Sequence, residues 1–236
     1  MSAPVSIGST VAFLAIITVV VVAMLALVRT AGGNWRRSVA LGGVWIVITG
    51  MSPFAVATTG SGPVLQFPLF MVLLVLCILL GFSRWGARLA ATNGLALLVA
   101  VQVFRLPLEL VLTQWAREGF LPIQMTYHGD NFDIVTGAIA LPAAYLIYKG
   151  IWPRQIAWAF NVLGLLKLAR IISLVALSTP TPLRAVIGGY DAGPDVLVGL
   201  YFPTAWLASV AVMSAMFLHI VSLRCLARGM NAQPNG

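Results

Sequence analysis

Residues 38–83 read SVALGGVWIVITGMSPFAVATTGSGPVLQFPLFMVLLVLCILLGFS, without one charged side chain. A helix rises about 1.5 Å per residue, so about 20 residues cross a hydrocarbon core about 30 Å thick. The stretch is too long for one crossing. It divides at Ala57-Thr58-Thr59-Gly60-Ser61-Gly62-Pro63, a polar and turn-rich break. The expected helices are near 38–57 and 65–83.

The same test works outward. Met1 to Val28 is also uncharged and predicts a helix near 6–28, ended by Arg29, Arg36 and Arg37. No positive residue precedes this stretch and a positive cluster follows it, so the segment is expected to stay as a membrane helix rather than a cleaved signal. Further helices are expected near 86–104, 134–148, 153–178 and 196–223. The fold class is therefore all-α: a polytopic bundle of about seven transmembrane helices in one domain, 1–228, with a disordered tail at 229–236. Pro107 should bend the fourth helix or start a new one. Residues 106–118 then either continue that helix or lie on the surface as an amphipathic helix.

Composition points the same way. Hydrophobic residues make up 60% of the 236, and charged residues only 8%, against roughly 25% in a soluble domain. The net charge of +8 does not indicate nucleic acid. The basic residues form short clusters between apolar runs, where they set orientation and suit anionic lipids. Cys77 lies within an apolar run and Cys225 just after another, which leaves no disulfide framework or CxxC metal site.

Orientation follows from the loops. Arg29, Arg36, Arg37, Arg84, Arg88, Lys149, Arg154, Arg224 and Arg228 share one side if seven helices alternate. That side should be cytoplasmic, with the N-terminus outside and the C-terminus inside. Glu109, Glu118, Asp130, Asp133, Asp191 and Asp195 all fall on the other side. Trp35, Trp85, Trp152 and Tyr148 flank the basic ends, where amphipathic rings favour the interface. The expected location is the plasma membrane, or the inner membrane of a bacterium. The arrangement resembles rhodopsins in topology alone. The last helix has no lysine to hold retinal, and Lys167 in the sixth is the only intrahelical lysine that could form a Schiff base.

Lys167 and Arg170 need explaining, since each costs roughly 2.5–3.5 kcal/mol at the centre of a lone helix. They are three residues apart and share a helix face. Glu109 and Asp133 are the carboxylates best placed to meet them, with Glu109 expected near the outer interface. On helix 4, Gln102, Arg105 and Glu109 fall on one face. Gly86, Ala90 and Gly94 lead into it at the four-residue spacing that lets helices approach. The expected ligand-binding set is Gln102, Arg105, Glu109, Asp133, Lys167 and Arg170, lining a cavity open to the outside. Three basic groups near two acidic ones leave a positive surplus, which favours a small anionic or zwitterionic molecule or a lipid head group. The plain alternative is a set of buried ion pairs that fix helices 4, 5 and 6.

His128, Asp130 and Asp133 could bind a metal or act as acid and base. They equally suit a solvated loop in which Asp133 caps helix 5. His219 near the end of helix 7 reads as a packed histidine. With His128 on the other side, a bis-histidine haem within one chain is excluded. No cofactor is identified. Three functions stay open: a small-molecule binding or transport protein, an accessory subunit of a membrane complex, and a membrane enzyme on a lipid-type substrate using Glu109, His128 and Asp133. The sequence lacks a nucleophile motif and a phosphate loop. The expected partners are membrane lipids, a small anionic ligand, and a second copy or a membrane-complex subunit.

Overall fold

The structure is a computed structural model and describes residues 3–32, 34–59, 62–187 and 194–229. Its regular elements are helical. They are α1 (Ile7–Thr30), α2 (Trp35–Thr59), α3 (Gly62–Phe82), α4 (Arg84–Thr92), α5 (Leu95–Ala100), α6 (Arg105–Arg117), α7 (Asp133–Tyr148), α8 (Pro153–Ser178), α9 (Pro182–Ile187) and α10 (Met213–Ala227). Six stretches are long and apolar enough to cross a membrane: Ile7–Thr30, Trp35–Val56, Val64–Phe82, Leu95–Arg117, Pro153–Ser178 and Leu207–Ala227. Asp133–Tyr148 is a shorter apolar helix. The chain is thus a multi-pass helical membrane protein. The tail proposed at 229–236 lies, after Gly229, outside the described residues.

The fourth crossing differs from the expected 86–104. Residues 84–92 form their own short helix, and the span runs from Leu95 to Arg117. Asn93 makes the break. Its backbone is extended at φ −99°, ψ 130°. Its side-chain amide donates to the carbonyls of Leu27 and Leu89, both at 3.2 Å, and its oxygen accepts from the Thr30 hydroxyl at 2.6 Å. An asparagine that bonds backbone in this way competes with the helix ladder. The small-residue stripe is therefore not continuous: Gly86 and Ala90 sit on α4, away from the helix that carries Arg105. Gly86 instead lets α4 fold back tightly on α3, since a Cβ there would strike the Gly81 carbonyl.

Residues 106–118 continue the crossing rather than lying on a surface. A 3-10 turn, Val101–Phe104, joins α5 to α6, just ahead of Pro107, which cannot donate to the ladder. Gly119, at φ +75°, ends α6. The Gly119 N–H donates to the Ala116 carbonyl at 3.1 Å and the Phe120 N–H to that of Trp115 at 2.9 Å, a Schellman closure that satisfies two helix-end carbonyls. It also sets the Phe120 ring edge-on to Trp115 at 5.8 Å. The same closure at Gly150, φ +72°, ends α7 and turns the chain into α8.

Packing is centred on the last helix. Leu207–Ala227 is largely buried inside the protein, whereas Trp35–Val56 is largely exposed. α10 contacts α3, α4, α5 and α8. It is preceded by a π-helical turn, Leu207–Val212. Carbonyls from this turn and the start of α10 receive side chains from three other helices: Trp45 on Ser209 at 3.1 Å, Cys77 on Met213 at 3.2 Å and Gln102 on Ala215 at 3.3 Å.

α7 packs along α5, the 3-10 turn, α6 and α8 through a face of small residues: Thr136, Gly137, Ala140, Ala143 and Ala144. Gly137 lies directly against the Leu106 backbone, with no room for a Cβ. Since Gly137 meets Leu106, α7 begins level with Glu109 rather than Arg117. The depth beyond it is filled by residues 120–132, of which Leu121, Met125, Thr126 and Asn131 are all buried. Non-helical backbone at such depth is tolerated where protein buries it.

Candidate functional site

The 3-10 turn and α6 place Gln102, Arg105 and Glu109 on one inward face, each 1% exposed. Arg105 is about 15 Å along the crossing from Leu95, near its middle. A guanidinium at that depth needs an answering charge. It receives one from Asp133, the first residue of α7. Arg105 Nε donates to Asp133 Oδ2 at 2.6 Å, and Nη2 pairs with Oδ1. Two parallel contacts to one carboxylate form the bidentate geometry that arginine, and not lysine, can make.

The third guanidinium nitrogen fixes a histidine. Arg105 Nη1 donates to His219 Nε2 at 2.9 Å. Arginine has only donors, so His219 Nε2 is the lone-pair nitrogen. His219 Nδ1 then carries the proton and donates to Asn161 Oδ1 at 2.9 Å. Asn161 Nδ2 passes the chain on to the Ala157 carbonyl at 2.8 Å. His219 and Asn161 are both fully buried. Gly164, one turn beyond Asn161 on α8, provides the space: a Cβ there would overlap the imidazole and approach Arg105 Nη1 to 3.3 Å.

Glu109 is held differently. Its Oε1 accepts from Asn131 Nδ2 at 2.8 Å. Asn131 is positioned in turn by the Met125 carbonyl at 3.0 Å, and its Oδ1 receives the Asp133 N–H at 3.1 Å. Asn131 thus serves the start of α7, the capping role expected of Asp133. Glu109 Oε2 is buried with no hydrogen-bond partner among the described residues. Glu109 also lies deeper than expected. The break at Asn93 shifts the start of the helix, so Glu109 is about 12 Å short of the Arg117 end.

A cavity of about 140 Å³ adjoins these groups. Arg105, Glu109, Asn131 and Asp133 form one polar wall, and Gln66, Thr49 and Ser52 lie elsewhere on its surface. The remaining walls come from α2, α3, α6, α8 and the segment before α10, and are largely aliphatic and aromatic. Gln66 Nε2 donates to the Val196 carbonyl at 3.0 Å, while Oε1 is buried without a partner among the described residues.

Lys167 and Arg170 are not part of this cavity. Arg170 pairs with Asp130 at 3.0 Å, and both side chains are about two-fifths exposed. The Lys167 ammonium lies 5.1 Å from the Phe132 ring centroid, a cation–π contact. Of the six expected site residues, Arg105, Glu109 and Asp133 converge on the cavity and Gln102 sits one turn away. Lys167 and Arg170 instead face the loop that carries Asp130 and Phe132. Asp130 answers Arg170, so the expected positive surplus does not arise inside the bundle. His128 is exposed, and its ring packs on Tyr127 at 4.2 Å. No group of three potential metal ligands occurs among the described residues.

Sequence reasoning missed Asn131, Asn161, Gly164 and His219 as members of the site. Asn161 and Gly164 carried a usable signal: a polar and a minimal residue three apart within the apolar stretch 156–166.

No curated protein and no solved structure matches the chain. Residues 62–227 match a family described as a domain of unknown function, DUF8737. The match runs from α3 through α10 and takes in every member of the Arg105 network, while α1 and α2 precede it. It covers more than two thirds of the 236 residues, and the chain accordingly belongs to the DUF8737 family.

Proposed function

We propose that this protein crosses the plasma membrane seven times, N-terminus outside, and binds a small, largely apolar molecule with a zwitterionic or hydrogen-bond-donating head at Glu109. The observation that carries the reading is the Glu109 carboxyl, one of whose oxygens is buried beside an apolar cavity with no partner among the described residues. An unsatisfied buried acceptor costs roughly 1–3 kcal/mol, and a donor on a ligand would recover that.

The charge balance around the cavity refines the ligand class. Arg105 is already neutralised by Asp133, so a simple anion would find no free cation there. A zwitterion, an amine or a hydroxyl-bearing head fits better, with its donor on Glu109. Size sets a second limit. Typical drug-sized sites occupy about 300–1,000 Å³, and a 150 Å³ apolar cavity is known to hold benzene. About 140 Å³ suits a single ring or short branched chain.

Seven crossings are supported by α7 packing along both the α5–α6 crossing and α8, with residues 120–132 making up the depth that this shorter helix leaves. The orientation is supported by Arg224 and Arg228. They donate to the carbonyls of Gly81, Ser83 and Ala87 at 2.6–2.7 Å, gathering basic side chains at one end. A second reading, an accessory subunit of a membrane complex, is favoured by the completeness of the Arg105–Asp133–His219–Asn161 network, which a purely architectural role would also require.

The test is thermal stabilisation of the purified protein by a panel of small amines, carboxylates and zwitterions, in the native chain and in Glu109→Gln. Binding of a donor-bearing compound that Glu109→Gln weakens at least tenfold supports the site. Binding indifferent to that substitution overturns it.

A further inference from the structure

We propose a second site, for an anionic phospholipid, at the basic end of the bundle. A cavity of about 520 Å³ opens there between α1, α2, α3, α4 and the last crossing. Its walls are apolar, with Leu25, Leu41, Leu76, Leu80, Val210 and Phe217 among them. Arg37, Ser38 and Arg84 also line it, and no carboxylate does among the described residues.

Three observations point to a phosphodiester held by the polar groups. First, neither the Arg37 nor the Arg84 side chain has a partner among the described residues, and both are exposed. Two unpaired guanidiniums on one cavity suit phosphate oxygens, which arginine binds in fork geometry. Second, the Ser38 side chain, only 8% exposed, has a buried hydroxyl with no partner among the described residues. It is a ready donor to a further phosphate oxygen. Third, Arg37 and Ser38 belong to the first turn of α2, and Arg84 starts α4. Both helix N-termini carry partial positive charge that favours an anion.

The apolar walls extend the requirement beyond a free anion. A phosphate ion would leave them uncovered. Acyl chains lying along α2 and α3 would cover them while the head group meets the arginines. Trp85, also on the lining, supplies the amphipathic ring typical of head-group depth. This site shares no residue with the Glu109 cavity, apart from Ser209, and does not depend on what binds there.

The experiment uses the full chain, purified and delipidated in neutral detergent, with thermal unfolding and native mass spectrometry as readouts. Phosphatidylglycerol, phosphatidylcholine and inorganic phosphate are the probes. Phosphatidylglycerol should raise Tm and remain bound as a discrete adduct, whereas phosphatidylcholine and phosphate should do neither. The double variant Arg37→Gln/Arg84→Gln should keep its lipid-free Tm and lose at least tenfold in apparent phosphatidylglycerol affinity. Leu76→Trp, which fills the apolar part from a half-exposed position, should also abolish the adduct. Equal stabilisation by phosphatidylcholine, equal stabilisation by phosphate alone, or a phosphatidylglycerol response unchanged in the double variant would each overturn the proposal.

Discussion

Arg105 and Asp133 meet through two side-by-side contacts at the centre of the bundle, with Arg105 1% and Asp133 4% exposed. One residue comes from the middle of a crossing, the other from the first position of α7. The pair therefore fixes the depth at which α7 begins.

Removing one partner should expose how much depends on the pair. Arg105→Leu leaves a buried carboxylate alone, which costs roughly 3–5 kcal/mol. Arg105→Lys should fall well short of full rescue, because an ammonium cannot make the forked contact. The double substitution Arg105→Leu/Asp133→Leu removes both charges and should be less damaging than either single change. Denaturation in mixed micelles measures all four. Additive losses in the double variant would mean that the two side chains do not act as a pair.

Gly164 is expected to be intolerant for a single steric reason. Gly164→Ala puts a methyl group onto the His219 ring, and overpacking of this kind costs roughly 1–3 kcal/mol. The same change in a His219→Ala background should cost much less, since the ring is gone. Neighbours that share a contact show coupling of roughly 0.5–3 kcal/mol in a double-mutant cycle. A coupling near zero would place His219 elsewhere.

Much of this was legible from residue spacing, and the failures have physical causes. Gln102, Arg105 and Glu109 share a face because three- and four-residue steps return to the same side of a helix, and all three are buried. Lys167 and Arg170 share a face too, but the spacing does not say which way that face turns. It carries them to the loop, where Asp130 and Phe132 wait. His219 carried no pattern at all, since one histidine in an apolar helix looks the same whether it packs or bonds. The Asn93-Gly94 pair was a visible break signal. Overlooking it displaced the start of the crossing and with it the depth of Glu109. The descent of residues 120–132 into the bundle follows from tertiary packing over a short α7, which local periodicity cannot express.

The binding proposal separates stability from recognition. Glu109→Gln should change ligand-free stability by no more than about 1 kcal/mol, because Asn131 keeps an oxygen to donate to and the rest of the network is untouched. Ligand-induced stabilisation should fall at least tenfold in affinity. A collapse of ligand-free stability would instead assign Glu109 to the scaffold.

Glu118 lies just past the end of the fourth crossing and ties it to the start of α1. Its Oε2 accepts from the Ser6 N–H at 3.0 Å and the Ser9 hydroxyl at 3.3 Å, and its Oε1 from Gln114 at 2.8 Å. Partial burial, the largest single influence, pushes the carboxyl upward, but hydrogen bonds from Ser6, Gln114 and Ser9 together outweigh it and hold the group below the ordinary glutamate range. A carboxyl lowered in the folded state stabilises above its unfolded value, and that stabilisation is lost as pH falls through the lowered one. Protection of the amides in the first turn of α1, taken relative to the intrinsic exchange rate at each pH, should therefore fall under acid. In Glu118→Gln the acid dependence should be absent.

Topology can be read by labelling. A cysteine at the exposed His128 should react with an impermeant maleimide from outside intact cells. One at Lys149, 16 residues beyond the start of α7, should react only after permeabilisation. Labelling of both from the same side would show that α7 does not cross.

The most buried crossing follows the helices it packs against, and that order has a consequence for biogenesis. Chains emerge from the ribosome with their N-terminal parts first, so α3, α4, α5 and α8 must reside in lipid before the helix that all four contact exists. During that interval Arg105 can hold Asp133 but has no imidazole to complete its coordination, and the corner at Gly81 and Ser83 lacks the guanidinium that closes it. Final packing should then wait for insertion of residues 207–227. A ribosome-stalled chain ending before Met213 should remain protease-sensitive at the α3–α4 corner, and release of the full-length chain should abolish that sensitivity.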